Sequence, residues 1–159
     1  MPRALIEGRP AVVVLGRRKQ RFARLPALLA AARTAGVPVL WAVAPEAGIA
    51  DDEAALPDEY HIRVRRHSIF YGTDLSIVLA DLGVRTLILA GGVTSVAVHY
   101  SFVDAHQNDY FCRVAQDCMA GSSEPAHDAA LRAMEYMQSG ARRQAAELIA
   151  AFGAFQVSK

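Results

Sequence analysis

The stretch LILAGGVTSVAVHYSFVDAH, residues 87–106, places two hydroxyl side chains, Thr94 and Ser95, directly after an apolar run that ends in two glycines. A helix is predicted to begin at this turn, so its first backbone N–H groups would face a ligand. Such groups bind an anion or stabilise the oxygen of a carbonyl under attack. Helix capping by Thr94 and Ser95 is the simpler role for the two hydroxyls.

Histidine and tyrosine supply the other candidates for acid–base chemistry. His61 and His67 are predicted on a loop beside this turn, and either could titrate near neutral pH. Tyr100 lies on the predicted helix that follows the turn. We take His67, Ser95 and Tyr100 as candidate catalytic residues, against the simpler interpretation of the histidines as partly solvated loop side chains.

The two cysteines, Cys112 and Cys118, fall in a strand-like segment and its exit. Their spacing matches neither a zinc site nor a disulfide framework. They are predicted to be reduced core residues rather than reactive thiols.

Length and charge limit the classes of function. The chain has 159 residues, of which 53% are hydrophobic, and a formal net charge of +1. The length and composition predict one globular domain, residues 1–159. A net charge so close to zero gives no indication of binding to nucleic acid or to a membrane surface. We see no leader or membrane-spanning stretch, so a cytoplasmic protein is expected. The basic cluster at 17–24 is expected to be a solvated helix face; it comprises Arg17, Arg18, Lys19, Arg21 and Arg24.

Hydrophobic periodicity predicts alternating strands and helices. The predicted strands are 10–16, 37–44, 84–92 and 110–121, and the predicted helices are 25–36, 73–83, 95–109, 124–138 and 141–155. Residues 45–67 are predicted as a loop with a short extended piece at 61–65. This alternation predicts a three-layer α/β/α sandwich around a mainly parallel, doubly wound sheet of Rossmann-like topology. Ligands of such sheets bind beyond the carboxyl ends of the strands, here near 15–18, 44–46 and 91–97.

Several motifs within residues 67–134 follow one another in a recognisable order. They are SIFYGTDL at 68–75, GGVTSVAV at 91–98, Asp104 in the next helix, the pair Asp117 and Cys118, and HDAAL at 127–131. This order resembles the isochorismatase-like hydrolases, also called the cysteine hydrolase superfamily. With PAVVVL and GVPVLWA the resemblance covers nearly the whole chain, and it implies structural roles for Asp104 and His127.

The resemblance implies three catalytic positions whose usual residues are absent. The family's aspartate falls on Gly16, its lysine on Val64 and its nucleophilic cysteine on Ala97. Arg63 or Arg65 would approximate the lysine only after a shift of one residue, and arginine does not give up its proton. Loss of such a catalytic unit costs on the order of 10⁶ in turnover, so hydrolysis by the family mechanism is not expected.

The resemblance also bears on related reactions and on cofactors. Family isochorismatases lack the cysteine but keep the carboxylate, so Gly16 counts against that reaction as well. Family members that hydrolyse nicotinamide carry a metal site after the second strand, whereas WAVAPEAGIADDE, residues 41–53, contains no histidine. No metal and no other cofactor are therefore expected.

A pocket is expected to persist where the triad would lie. Its implied lining is Gly16, Val64, Phe70, Gly92, Val93, Thr94, Ser95, Ala97 and Tyr100. Small and apolar side chains on the floor suit a bulky hydrophobic ligand, with Phe70, Tyr71 and Trp41 as candidate walls. The resemblance further implies a cis peptide at Val93–Thr94.

Three functions stay open from the sequence. The first is a repurposed biosynthetic enzyme of the cyclase, isomerase or lyase type, the second a pseudoenzyme that binds a metabolite or a protein, and the third a hydrolase with a relocated nucleophile, Ser95 or Ser68. The family resemblance implies a homodimer or a larger homo-oligomer. Phe152 and Phe155 on the last predicted helix would fit its interface, although packing on their own sheet would explain them too.

Overall fold

The computed structural model describes residues 4–16, 22–43 and 55–157, with side chains described as far as Ala154. The strands are β1 (Arg9–Leu15), β2 (Val39–Val43), β3 (Tyr60–Arg63), β4 (Val84–Gly92), β5 (Phe111–Ala120) and β6 (Arg142–Arg143). The helices are α1 (Leu25–Thr34), α2 (Leu75–Leu82), α3 (His99–Gln107), α4 (Glu124–Met137) and α5 (Ala145–Val157). A π-helical turn, Thr94–Val98, leads into α3.

The six strands form one sheet in the order β3-β2-β1-β4-β5-β6, and every pairing is parallel. This is the doubly wound order of Rossmann-type folds, which confirms the predicted fold class. Strands β1 and β4 lie at the centre and are buried on both faces, because their apolar side chains are covered by helices on either side. The chain changes winding direction between them, so the crevice beyond their carboxyl ends is where ligands of this topology bind.

Two apolar clusters, one on each face of the sheet, make up the core. One cluster joins β1 and β4 to α2, α3 and α4 through residues such as Leu79, Phe102 and Leu131. The other joins the opposite face of the same strands to α1 and α5 through Leu28 and Phe152. The three layers of the predicted sandwich are therefore present.

Two short strands were not recognised from the sequence. The 60–63 segment, predicted only as an extended piece of a loop, pairs with β2 as β3. Residues 142 and 143, predicted within the last helix, pair with β5 as β6, and α5 begins only at Ala145. Both are edge strands of four residues or fewer, too short for a period-two pattern to show.

Some of the sequence predictions concern residues or side chains that the structure does not describe. The cluster Arg17, Arg18, Lys19 and Arg21 and the loop 44–54 lie outside them, as does the side chain of Phe155. Phe152 is 1% exposed and packs under α1 and β4, so it is a core residue and not an interface residue of this chain. Within the described ranges, no helix is long and apolar enough to cross a membrane.

A buried arginine fastens the N-terminal segment to the sheet. Arg113 on β5 is fully buried, and its guanidinium donates to the carbonyl oxygens of Leu5, Cys112 and Ala4, each at 2.9 Å. Thr86 on β4 adds a second attachment, because its hydroxyl accepts from the Glu7 N–H and donates to the Glu7 carbonyl. Charge-assisted bonds to several carbonyls are what allow an arginine to lie inside a sheet protein.

We expect Arg113→Met to lower the free energy of unfolding by about 2–4 kcal/mol, because buried carbonyl oxygens would lose their donors. Urea unfolding followed by circular dichroism measures the change. Arg132→Met is the control. Arg132 is exposed and forms an exposed ion pair with Asp128 on its own helix, so its loss should cost about 0.5 kcal/mol or less. Equal effects of the two substitutions would contradict the anchoring role of Arg113.

Candidate functional site

The carboxyl ends of β1 and β4 approach each other unusually closely. A Cβ atom on Gly91 would lie 2.0 Å from the Leu15 carbonyl oxygen, and one on Gly16 would lie 2.4 Å from the Gly92 carbonyl oxygen. Gly91 and Gly16 also have positive φ, +103° and +45°, a region that favours glycine. Gly91 near the end of β4 and Gly16 directly after β1 are therefore required by backbone contact.

Val64 lies at the same edge of the sheet and points inward. Its N–H donates to the Val43 carbonyl at 2.9 Å, which extends the β2–β3 pairing by one residue. Its side chain is partly buried and packs against the cluster under α2–α4, whereas its neighbours Arg63 and Arg65 are exposed. The hydrogen bond fixes this register, so neither arginine takes the place of Val64.

The turn after β4 differs from expectation in two details. The cis peptide bond joins Gly92 to Val93, one residue before the Val93–Thr94 bond that the resemblance implied. The helix that follows opens with the π-helical turn, in which the Val98 N–H donates to the Val93 carbonyl at 3.3 Å. Ala97 lies in this turn, half-buried, at the switch point of the sheet.

Thr94 does not cap the helix, contrary to the prediction from sequence. Its side chain is fully buried, and its Oγ1 lies 2.8 Å from Nδ1 of His127 in the first turns of α4. The N-cap residue of the turn is Val93, which has no side-chain oxygen to offer. The Thr94–His127 bond thus ties the turn after β4 to the helix after β5, a contact that joins residues 33 positions apart.

Thr94→Val should break this contact while keeping the shape of the side chain. We expect a loss of about 1–2 kcal/mol in the free energy of unfolding, because His127 Nδ1 would be left without its partner. Thermal unfolding with Thr94→Ser, which keeps the hydroxyl, as the matched control measures the effect. A Thr94→Val protein as stable as the wild type would show that the bond adds nothing to the fold.

The two serines considered as nucleophiles have different surroundings. Ser68 is buried, and its Oγ accepts from the Phe70 N–H at 3.2 Å. Ser95 is half-buried beside Thr94. Among the described residues, neither serine forms a hydrogen bond to a histidine; the hydroxyl that does so is Thr94.

His67 and Tyr100 lie next to each other, a contact that the sequence did not predict. Their ring centroids are 5.4 Å apart with the planes tilted by 32°, and both side chains are exposed. The bond from the Ile69 N–H to Ser101 Oγ, 3.1 Å, holds the 67–71 segment against the start of α3. Two of the three candidate catalytic residues are therefore adjacent and open to a ligand.

The three candidate wall residues do not form one wall. Phe70 stacks near Tyr110, with 5.9 Å between ring centroids, while Tyr71 is 63% exposed. Trp41 belongs to the cluster on the other face of the sheet, and its indole N–H donates to Glu59 at 3.1 Å. Side chains alternate between the two faces of the sheet along β2, and the Trp41 side chain lies on the face opposite to Phe70. Trp41 cannot share a wall with Phe70.

The cysteines are core residues in the structure, as the sequence predicted. Both are free and buried. Burial raises the pKa of the Cys112 thiol to about 12, against the lowering effect of Arg113. Burial and the neighbouring Asp117 carboxylate raise the pKa of Cys118 to about 12 as well. The Asp117 carboxylate accepts from the Ala145 N–H at 2.8 Å and so caps α5.

His99 directly follows the π-helical turn as the first residue of α3, whereas His106 and His61 lie apart from the turn. His106 Nδ1 is 3.0 Å from the side-chain amide nitrogen of Gln138, which also donates to the Tyr110 carbonyl. His61 on β3 pairs with Trp41 on β2. Its Nε2 is buried and has no hydrogen-bond partner among the residues that the structure describes. In the part of the chain that the structure describes, no group of three or more His, Cys, Asp or Glu side chains could hold a metal ion.

Comparison with known proteins identifies the family of this chain. The isochorismatase domain family matches residues 9–147, most of the chain. The chain belongs to the isochorismatase family. Among curated relatives it is 32% identical over 82 residues to the uncharacterised isochorismatase family protein YaaI of Bacillus subtilis, covering 52% of this chain and 45% of YaaI. It is 36% identical over 90 residues to maleamate amidohydrolase of Pseudomonas putida, covering 57% of this chain and 38% of that enzyme.

Solved structures of the isochorismatase family share the fold over nearly the whole chain. An isochorismatase-like hydrolase from Alkaliphilus metalliredigens has a TM-score of 0.79 at 21% identity, with 92% of each chain covered. A cysteine hydrolase from Pseudomonas syringae has a TM-score of 0.78 at 21% identity, covering 98% of this chain and 100% of that one. The isochorismatase family chain spans less than half the length of the two curated relatives named above.

Proposed function

We propose that this isochorismatase family protein is a small-molecule enzyme that works without a cysteine nucleophile. Its reaction would be of the cyclase, isomerase or lyase type, within a biosynthetic pathway, on a bulky and largely apolar substrate. The observation that carries the proposal is the set of side chains at the switch point. Gly16, Val64 and Ala97 offer no nucleophile, acid or base there.

No other thiol of the chain can replace the missing cysteine. Cys112 and Cys118 are its only cysteines, and both are buried with a pKa raised to about 12. The thiolate is the form that attacks a carbonyl, and at neutral pH its population would be negligible. This supports a reaction with no thioester intermediate.

The stacked pair His67 and Tyr100 supports an enzyme over a passive binding protein. An imidazole can act as a general acid or base, and a phenol can donate a hydrogen bond to a developing oxyanion. Both side chains are exposed beside the 67–71 segment, so a ligand can reach them. In an isomerase or cyclase, one such acid–base group together with a shaped apolar floor is a sufficient catalytic set.

A hydrolase with a relocated nucleophile is the second candidate. The Thr94–His127 contact of 2.8 Å favours it, since a hydroxyl within hydrogen-bond reach of an imidazole is the arrangement that activates such a nucleophile. The name of the P. putida relative, maleamate amidohydrolase, also favours hydrolysis of an amide. Thr94 is fully buried, however, and a substrate could reach it only after the turn moved.

The test is a thermal-shift screen of the purified protein, with every stabilising compound then followed for chemical conversion. Three sets of compounds separate the candidates: small amides such as maleamate, chorismate-type acids, and bulky apolar natural-product intermediates. A ligand at about 100 times its Kd should add about 2.7 kcal/mol and raise the melting temperature by several degrees.

The outcomes are distinct. We expect a bulky apolar compound to stabilise the protein and to be converted, with conversion falling at least about tenfold in His67→Gln or Tyr100→Phe. Hydrolysis of an amide that is abolished by Thr94→Val and kept by Thr94→Ser would establish the second candidate. A compound that binds unchanged would identify a non-catalytic binding protein and overturn the proposal.

A further inference from the structure

Two exposed arginines lie beside the stacked pair His67 and Tyr100. Arg65 and Arg66, which we call the arginine pair, come just after the end of β3. Within the described ranges, neither guanidinium forms an ion pair, and Arg66 Nη1 makes a single hydrogen bond, to the Arg65 carbonyl at 2.9 Å. Because each guanidinium carries five N–H donors, most of the donors of the pair can bind a ligand.

The arginine pair lies at the edge of the sheet where ligands of this fold bind. Strand β3 runs parallel to β2 and β1, so its carboxyl end lies at the same edge as the switch point. The Val64 N–H donates to the Val43 carbonyl at 2.9 Å and fixes the chain immediately before the pair. Arg66 is followed directly by His67, and the Cα atoms of adjacent residues are about 3.8 Å apart. A ligand that contacts the His67 ring is therefore within reach of the Arg66 side chain.

The sequence around the arginine pair supplies no carboxylate to neutralise it. Glu59 is the last acidic residue before the pair and Asp74 is the first one after it, so all charged side chains within residues 60–73 are basic. The Glu59 carboxylate is already engaged, because it accepts two hydrogen bonds from Arg33. The chain as a whole has a formal net charge of only +1, so this positive charge is a local feature of the site.

We propose that the arginine pair binds the phosphate group of the substrate, and that this substrate is a phosphate ester with an apolar body. The inference rests on the proposed function and specifies the substrate of that same site. A phosphate ester carries about −1.5 to −2 charges at neutral pH, which matches two guanidiniums, whereas a single carboxylate would neutralise only one of them. Guanidinium donors also bind phosphate oxygens in pairs. The apolar body then lies against the Tyr100 ring, which is 56% exposed.

Isothermal titration calorimetry with four probes tests the inference: hexyl phosphate, heptanoate, hexanol and inorganic phosphate. We expect hexyl phosphate to bind at least about tenfold more tightly than each of the others, because it alone combines the dianion with an apolar body. If heptanoate binds as tightly, the pair recognises a carboxylate. If hexanol does, the charged group adds nothing, and if inorganic phosphate does, the site binds a free anion. Each of these three results overturns the inference.

Charge removal tests whether the arginine pair is the binding group. Arg65→Gln/Arg66→Gln should weaken the binding of hexyl phosphate by at least about tenfold. Arg9→Gln/Arg85→Gln is the matched control, since both residues are exposed near the amino ends of β1 and β4 and the variant loses the same two charges. It should change the affinity by less than about twofold, because charges at the opposite edge are screened. Equal losses in the two variants would show an effect of net charge alone. Circular dichroism checks that both variants fold.

These titrations measure binding without turnover, so the inference and the proposed function can fail separately. If hexyl phosphate binds as expected but no compound of the screen is converted, the chain is a binding protein for phosphate esters and only the proposed function fails. If an uncharged apolar compound is converted while hexyl phosphate does not bind, the enzyme stands and the phosphate inference is wrong.

Discussion

Gly91→Ala is expected to cost about 4 kcal/mol or more in the free energy of unfolding. The added Cβ would lie 2.0 Å from the carbonyl oxygen, 2.8 Å from the nitrogen and 2.9 Å from the carbonyl carbon of Leu15. The φ of Gly91, +103°, adds strain for any residue with a side chain. The atoms in the way are all backbone, so no side chain can rotate to make room.

The collision cannot be relieved locally, because Leu15 is the last residue of the central strand β1. Strand β1 is paired with β2 on one side and with β4 on the other, and Leu15 pairs with Gly91 itself. A shift of this strand end would disturb both pairings and the close contact of Gly16 with Gly92. The same shift would displace the switch point where a ligand is expected to bind.

Thermal and urea unfolding of Gly91→Ala measure the effect, with Gly153→Ala as the control variant. Gly153 lies in α5, and its Cβ would meet no heavy atom within 4 Å. Alanine there should be neutral or stabilising by up to about 1 kcal/mol, as it is in most helices. For a domain of this size, 4 kcal/mol corresponds to a drop of about 10 °C in melting temperature. A Gly91→Ala protein as stable as Gly153→Ala would contradict the close approach of β1 and β4.

Both thiols should react with iodoacetamide at least about 1,000-fold more slowly in the folded protein than in the unfolded chain at about pH 8. Burial raises the pKa of Cys112 and of Cys118 to about 12, so only about one thiol in ten thousand is ionised at that pH. The same protein unfolded in guanidinium chloride is the reference for ordinary reactivity. Mass spectrometry of alkylated peptides gives the two rates separately.

The raised pKa values also predict a pH dependence of stability. Above the ordinary thiol pKa, 9.0, the unfolded chain loses protons that the folded chain keeps. The free energy of unfolding should therefore fall as pH rises through this range, with a slope approaching about 1.4 kcal/mol per pH unit for each thiol. Cys112→Ala/Cys118→Ala should show a shallower decline. If either thiol is alkylated as fast as in the unfolded chain, it is accessible, and the argument against a thiol reaction fails.

The sequence by itself determined the fold class. Long apolar runs such as PAVVVLG indicate strands buried on both faces, and their alternation with helices predicts a parallel sheet. The same local signals predicted buried, unreactive cysteines. The edge strands β3 and β6 were missed because their pairing partners, and not their own residues, make them strands.

The tertiary structure alone decided how the site is assembled. Thr94 bonds to His127 and not to its own helix, His67 stacks on Tyr100, and Trp41 faces away from Phe70. Each of these depends on which residues distant in sequence come together. Local propensity favours a cap at Thr94, but in the structure its hydroxyl lies against His127 on α4. Short windows of a sequence reveal the hydrophobic periodicity of each helix or strand. The contacts between these elements depend instead on how the whole chain packs.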